Sequence, residues 1–277
     1  MARDGSKAGG FGLPAAVSAA CLLALAHAGC PRFTLPKDIV PLEAAIDCPA
    51  LPAGEMRALR PVRTTPYKEL ACLLAAVRAE PSPDAALAAV ATRAAFFLAD
   101  QGSGHRAQRL ASEGVRWAEH AIAGGLDRDG AVHYYLAMNL GVAVMDAVVL
   151  AVRNLPRLES ELKRAIDLAP GEDQGGPVRV LGMLYLKAPS WPQGIGDQDR
   201  ALELLSDAAT TWPDHPANHV FYAQALWEVS GEDAREDIRM QLRRALDGIK
   251  SRDWGYAAER WRADVESLAT SAGVPIL

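Results

Sequence analysis

His215 and His219 stand four residues apart in "DHPANH", with Asp214 beside the first. On one helix face, that spacing would turn two imidazoles and a carboxylate toward a divalent cation such as zinc. The proline between them argues against it. Pro216 suits the first turn of a helix, which leaves His215 at the cap and His219 inside, so the rings diverge. His105, His120 and His133 fall on separate segments without paired carboxylates. Gly194-Ile195-Gly196 begins like a phosphate cradle but lacks the third glycine and a preceding strand. There is no H-E-x-x-H, C-x-x-C, G-x-S-x-G or Walker pattern. The chain reads as non-catalytic, with no metal and no cofactor.

The other reactive groups are four cysteines: Cys21, Cys30, Cys48 and Cys72. The first two lie in a distinctive N-terminus. "MARDGSK" is basic, "AAVSAACLLALA" is apolar, and "HAGC" is small, an order that marks a secretory signal over residues 1–29. The apolar run falls short of the roughly 20 residues that span a bilayer. Two processing sites compete. "LAHAGC" resembles a bacterial lipobox, with His27 in place of the usual aliphatic residue, and would leave Cys30 as a lipidated N-terminus. Ala26-His27-Ala28 is an A-x-A site for ordinary secretion. Lipidation leaves Cys48 and Cys72 as an even pair able to join in an oxidising compartment, whereas ordinary cleavage strands a free thiol. Cysteine parity therefore favours a lipoprotein. A third reading makes the segment a core helix.

Half the residues are hydrophobic but only 6% are aromatic, and alanine recurs throughout, a composition that leans all-α. The net charge is −5, which becomes −6 once residues 1–29, holding Arg3, Lys7 and Asp4, are removed. No basic footprint for nucleic acid is present.

Residues 30–66 carry seven prolines and little periodicity, which suggests a tether and a loosely folded lead-in before a domain at 67–277. Helical periodicity predicts helices near 67–80, 84–101, 105–123, 130–151, 157–169, 176–188, 198–211, 217–229, 234–249 and 252–270. Short connections favour antiparallel hairpins. The hairpins repeat. Leu181-Gly182-x-x-Tyr185, then Ala201, Leu205, Ala208 and Pro213, follow the tetratricopeptide pattern. Weaker copies run through Ala95, Ala137 and Ala223, small residues that let a partner helix approach. The intervals between them exceed the ~34 residues of a standard unit, which implies lengthened turns. The last helix carries Trp254, Ala258, Trp261, Val265 and Leu268 as one apolar stripe, suited to covering the end of a solenoid. The expected fold is an all-α tetratricopeptide-like superhelix of about four degenerate repeats with a C-terminal cap.

The stretch "DQGGPVRVLGMLYLKAPSWPQGIGDQDRALELLSDAATTWPDHPANHVFYAQAL", preceded by "YYLAMNLG", resembles the tetratricopeptide lipoproteins of the TatT type, the T-component partners of TRAP transporters. The similarity covers roughly residues 67–250. It rests on Gly-Gly-Pro at 175–177, the "LGMLY" core and the "AP…GIGD" loop. It implies a protein tethered by lipid to a bacterial membrane, the outer one, facing the periplasm, that holds a solute or its binding protein in a helical groove. No ligand residue is carried over from it.

In such arrays the first helix of each unit lines the concave side. The positions flanking the core there are Tyr134 and Met138, Arg179 and Met183, and Val220, Gln224 and Trp227. Their soft apolar character, with one Arg and one Gln, suits an apolar solute or an amphipathic segment. Met183 and Trp227 would equally serve as packing between units. Trp191, in the loop "KAPSWPQGIGDQ", is either pinned against its own scaffold or laid over the groove as a contact. Asp197 would cap the helix after that loop. Asn139, mid-helix, needs a hydrogen-bond partner if buried. The competing function is an assembly scaffold of the cell envelope with no small-molecule ligand.

Overall fold

Capping side chains and prolines set where the helices begin. The computed structural model describes residue 35, residues 37–42 and residues 47–276. The signal segment, both cleavage sites and Cys30 lie outside the described residues. A short helix α1 (Ala53–Met56) precedes α2 (Tyr67–Ala79), α3 (Ala85–Asp100), α4 (Gly104–Ala121), α5 (Gly130–Val144), α6 (Val148–Leu168), α7 (Gly176–Lys187), α8 (Gln198–Thr211), α9 (Pro216–Ser230), α10 (Arg235–Ser251) and α11 (Ala257–Ala272). Asp84, Asp129 and Asp197 each accept a first-turn amide of α3, α5 and α8. Pro177 and Pro216 occupy first-turn positions, where a missing N–H is harmless.

Helices α3/α4, α5/α6, α7/α8 and α9/α10 pack as consecutive pairs, and α11 rests on α9 and α10. The result is an all-α helical-hairpin superhelix, with no strand among the described residues. The close approach expected at small residues is visible at Gly182. A Cβ there would stand 2.7 Å from Leu205 Cγ, inside van der Waals contact. No described helix is long and apolar enough to cross a membrane.

Three expectations change. The helix predicted over 130–151 stops at Val144, and α6 begins at Val148 and runs straight through Pro156. Pro156 forfeits one backbone hydrogen bond, but the continuous helix turns Ala151, Leu155, Leu158 and Leu162 inward together. The last helix starts at Ala257, so Trp254 belongs to the preceding turn, where its Nε1–H donates to the Gly248 carbonyl at 2.9 Å. The lead-in is packed rather than loose. Val40 and Met56 are fully buried, and Arg78 donates to the Val40 carbonyl at 3.0 Å while pairing with Glu113. Cys48 and Cys72 are joined in a disulfide that fastens this stretch to α2.

Candidate functional site

The inner side of the helix stack forms a partly open cavity. A cavity of about 180 Å³ lies between α5, α6 and α7, with α3, α9, α11 and the lead-in completing its wall. Helix α5 and its C-cap contribute Tyr134, Ala137, Met138, Gly141, Val144 and Met145, and α7 and its C-cap contribute Arg179, Val180, Met183, Leu184, Lys187 and Ala188. These fall at i, i+3 and i+4 spacing, one face of each helix. Across from them stand Ala151, Leu155, Leu158 and Leu162 of α6. Almost every atom on this part of the wall is apolar, and Gly141 leaves an open space where a side chain would otherwise stand.

Polar groups gather at one end. Arg63 from the lead-in, Asp100 at the end of α3, Arg179 near the start of α7 and Arg260 on α11 all reach the wall there. Arg260 grips Asp100 through two hydrogen bonds of 3.0 and 3.1 Å, and the Tyr256 hydroxyl donates to the same carboxylate at 2.6 Å. Arg63 lies between the two carboxylates, 3.4 Å from Asp100 Oδ2 and 3.2 Å from Asp173 Oδ2. Its guanidinium also sits 5.2 Å from the Trp261 ring centroid. Arg179 donates to Asp173 Oδ2 at 2.7 Å and to Asn218 Oδ1 at 2.6 Å, and the Tyr134 hydroxyl donates to Asp173 at 3.1 Å.

Burial by itself would raise the carboxyl pKa of both aspartates. The guanidiniums of Arg63 and Arg179 reverse this at Asp173 and hold it well below the usual carboxylate range. Arg260 and Arg63 do the same, less strongly, at Asp100. Burial pushes the Tyr134 and Tyr256 phenols far above their ordinary value, so both remain donors. His215 goes the other way. Burial, then the nearby Arg179 charge, lowers it to about 4. Its Nδ1 accepts the Ala217 amide at 3.2 Å, which assigns the ring proton to Nε2. Nε2 stands 3.6 Å from Asp173 Oδ1, just beyond hydrogen-bonding distance, so the neutral ring makes no hydrogen bond to that carboxylate. The ring is packed edge-on against Trp254 and Trp261.

The backbone here is strained. Asp173, Gln174 and Gly175 are all left-handed, at φ 47°, 50° and 82°. For the two non-glycine residues this costs roughly 1–2 kcal/mol each. Asn218 and Arg179 offset it by bonding to the backbone carbonyls: Asn218 Nδ2 donates to Gln174 at 3.1 Å, and Arg179 lies near those of 173 and 174. The segment is held where Asp173 must point.

Of the groove residues expected from sequence, Tyr134, Met138, Arg179 and Met183 meet on the cavity wall. Val220, Gln224 and Trp227 do not. Helix α11 packs across α9 and turns Val220 into a core with Ile238, Leu242 and Val265, against which Trp227 also packs. Gln224 donates to Glu228 at 3.0 Å, and α9 faces the cavity with Ala217 and Phe221 instead. Trp191 is 84% exposed, so it is not pinned to the scaffold, and it stands off the cavity wall. Asp197 caps α8 as expected, donated to by the Arg200 amide at 3.0 Å. His219 bonds to Gln241 and to the Pro213 carbonyl, away from His215. Asn139 donates to the carbonyls of Thr92 and Tyr135 at 3.0 and 2.8 Å, while its Oδ1 finds no partner among the described residues. Sequence reasoning missed Arg63, Asp100, Arg260 and Trp261 as wall residues. Trp261 carried a signal, as a large aromatic on the capping helix, but the three charged residues carried none. Comparison of the chain with protein-family models and with curated proteins finds no match.

Proposed function

We propose that the protein is a non-catalytic, tetratricopeptide-like binding protein of the bacterial cell envelope, held to the membrane by lipid at Cys30. On this reading its cavity takes up the apolar part of a solute, or of a segment offered by a periplasmic solute-binding protein such as a TRAP transporter uses. The observation that carries the proposal is the apolar cavity of about 180 Å³ enclosed by α5, α6 and α7. An apolar void of about 150 Å³ stays dry and accepts small aromatic guests, and a wall with two flexible methionines adapts to shape. The Cys48–Cys72 bridge supports an oxidising compartment. The clustered ionisable groups support binding over catalysis, because the two carboxylates are locked in ion pairs and the imidazole is neutral and buried.

The neutral fluorophore 1-aminoanthracene tests it. The protein is expected to enhance and blue-shift its emission saturably at one site. Gly141→Leu, which builds a side chain into the open cavity and not into packed atoms, is expected to abolish that signal while leaving the thermal midpoint within a few degrees. A probe that binds the variant as well as the parent chain rules out the cavity as the site. The second reading, an envelope assembly scaffold with no small ligand, has Trp191 in its favour, because an aromatic so exposed is ready to meet another protein. A stable multiprotein complex that survives Gly141→Leu but not Trp191→Ala would select it.

A further inference from the structure

The two ends of the cavity differ in charge, and the difference bears on what it holds. This inference rests on the cavity being a binding site. Along α5 the wall runs from Tyr134 to Met145, about 16 Å at 1.5 Å per residue. The Met145 end is apolar and partly open, with Met145 itself 42% exposed. Lys187 stands at that end, but its charge is taken up by Glu228. At the Tyr134 end, three guanidiniums (Arg63, Arg179 and Arg260) face two carboxylates (Asp100 and Asp173). His215, kept neutral by burial, adds no charge at neutral pH. One positive charge is therefore left over at the inner end of an apolar tube. Asp264, one turn along α11 and off the cavity wall, also interacts with Arg260, but burial outweighs that attraction and raises its carboxyl pKa.

The excess belongs to the cluster as a whole, and Arg260 is its most accessible member. A guanidinium has five N–H donors. Arg260 uses two of them on Asp100 and makes no other hydrogen bond among the described residues. Its side chain is 40% exposed, and it is a wall residue. By contrast, Arg179 is bonded to Asp173 and Asn218 and is almost wholly buried, so it sets the local charge without being free to regroup. A residual charge of this kind, bordered by low-dielectric walls, attracts an anion more strongly than the same charge in water. A carboxylate also matches the planar fork of a guanidinium.

We propose that the cavity binds a single-chain amphiphile with a monoanionic carboxylate head, the head at Arg260 and the alkyl chain laid along α5 and α7 toward Met145. The chain supplies affinity through burial, and the head supplies orientation and selectivity. A neutral alcohol of the same length loses the charge pairing, and a quaternary ammonium of that length meets repulsion at the same end. Neither difference is expected of a cavity that recognises apolar surface alone.

Displacement of 1-aminoanthracene from the full chain decides it, with decanoate, 1-decanol and decyltrimethylammonium as competitors at pH 7.5. Decanoate is expected to bind about tenfold or more tightly than 1-decanol, a difference of about 1.4 kcal/mol, with decyltrimethylammonium weakest. Arg260→Gln is expected to bring decanoate down to the affinity of 1-decanol and leave 1-decanol unchanged. The comparison within the parent chain stands even if that variant folds poorly. Equal displacement by decanoate and 1-decanol overturns the anionic head while leaving the apolar site intact. If the fluorophore never binds and no competitor alters the protein's thermal midpoint, both the inference and the reading it rests on fail.

Discussion

Asp100 and Arg260 are 160 residues apart in sequence and meet through two parallel hydrogen bonds of 3.0 and 3.1 Å. One ends the first helix of the first pair, and the other lies on the last helix of the chain. Their contact joins the first pair to the capping helix across the inner side of the stack. A solenoid in which each unit touches only its neighbours has no such bond. Here the cap does more than cover an end: through Tyr256, Arg260 and Trp261 it also reaches the inner side of the stack.

Asp100→Asn removes the charge that holds this contact and leaves three guanidiniums, those of Arg63, Arg179 and Arg260, with Asp173 as the one carboxylate of the cluster. Removing one partner from a fully buried ion pair costs about 3 kcal/mol or more, but Arg260 is 40% exposed and keeps part of its hydration, so about 2 kcal/mol is expected here. Urea unfolding is expected to show a loss of that order. Arg260→Met on the Asp100→Asn background is expected to restore part of it, since the uncompensated cation is gone. A loss under about 1 kcal/mol would mean the clasp is incidental to the fold.

What could be read from the sequence divides along chain distance. Asp197 and Pro216 announce helix starts because a cap acts within three residues of itself. Tyr134, Met138, Arg179 and Met183 were legible as wall positions because helical periodicity fixes which residues share a face. The same rule misplaced Val220, Gln224 and Trp227, since α11 crosses α9 and takes Val220 and Trp227 into its own core, while Gln224 turns to Glu228. Nothing local distinguishes Arg63 from the other charges of a proline-rich stretch. Its role exists only once residues 100 and 173 are folded against it.

Gly114 and Asn139 make a second long-range fit. A Cβ on Gly114 would stand 2.2 Å from Asn139 Oδ1, well inside contact. Gly114→Ala gains up to about 1 kcal/mol of helix propensity but forces α4 and α5 apart or displaces a buried amide. Overpacking of this kind costs about 1–3 kcal/mol. The variant is expected to be less stable than the parent chain in denaturant unfolding, against the ordinary gain from replacing a helical glycine. Gly114→Ala combined with Asn139→Ala should recover the steric part of the loss.

The Cys48–Cys72 bridge closes a loop with a sequence separation of 24 residues. Loop-closure entropy assigns such a cross-link about 3 kcal/mol of stability. The bridge fastens the packed lead-in, which also carries Arg63 into the charge cluster. Reduction is therefore expected to lower the unfolding free energy by about that amount and to raise the exchange rates of amides around Val40 and Met56. Thiol titration of protein taken from an oxidising compartment should find neither cysteine free. Stability that does not change on adding reductant would show that the lead-in docks without its tether.

His215 gives the fold a dependence on pH whose sign follows from its burial. In the unfolded chain the imidazole takes a proton as pH falls through 6.5, while in the folded protein it resists until about 4. Across that window the unfolded state binds more protons, so stability rises with pH and is lost as pH falls. The loss from this one group amounts to about 2 kcal/mol between pH 7 and pH 5. His133 acts in the opposite direction. Its hydrogen bond to Glu161 raises its pKa, giving stability that is present below the unfolded value and lost as pH rises through the folded one. A single pH profile therefore mixes the two. Comparing the parent chain with His215→Asn removes the His133 contribution, because asparagine keeps a cap acceptor for the Ala217 amide without titrating. The parent chain is expected to lose about 2 kcal/mol more than the variant on going from pH 7 to pH 5, measured by urea unfolding. Parallel profiles would mean that His215 takes up its proton in the folded state at an ordinary pH, which is incompatible with a buried ring between Trp254 and Trp261 beside Arg179.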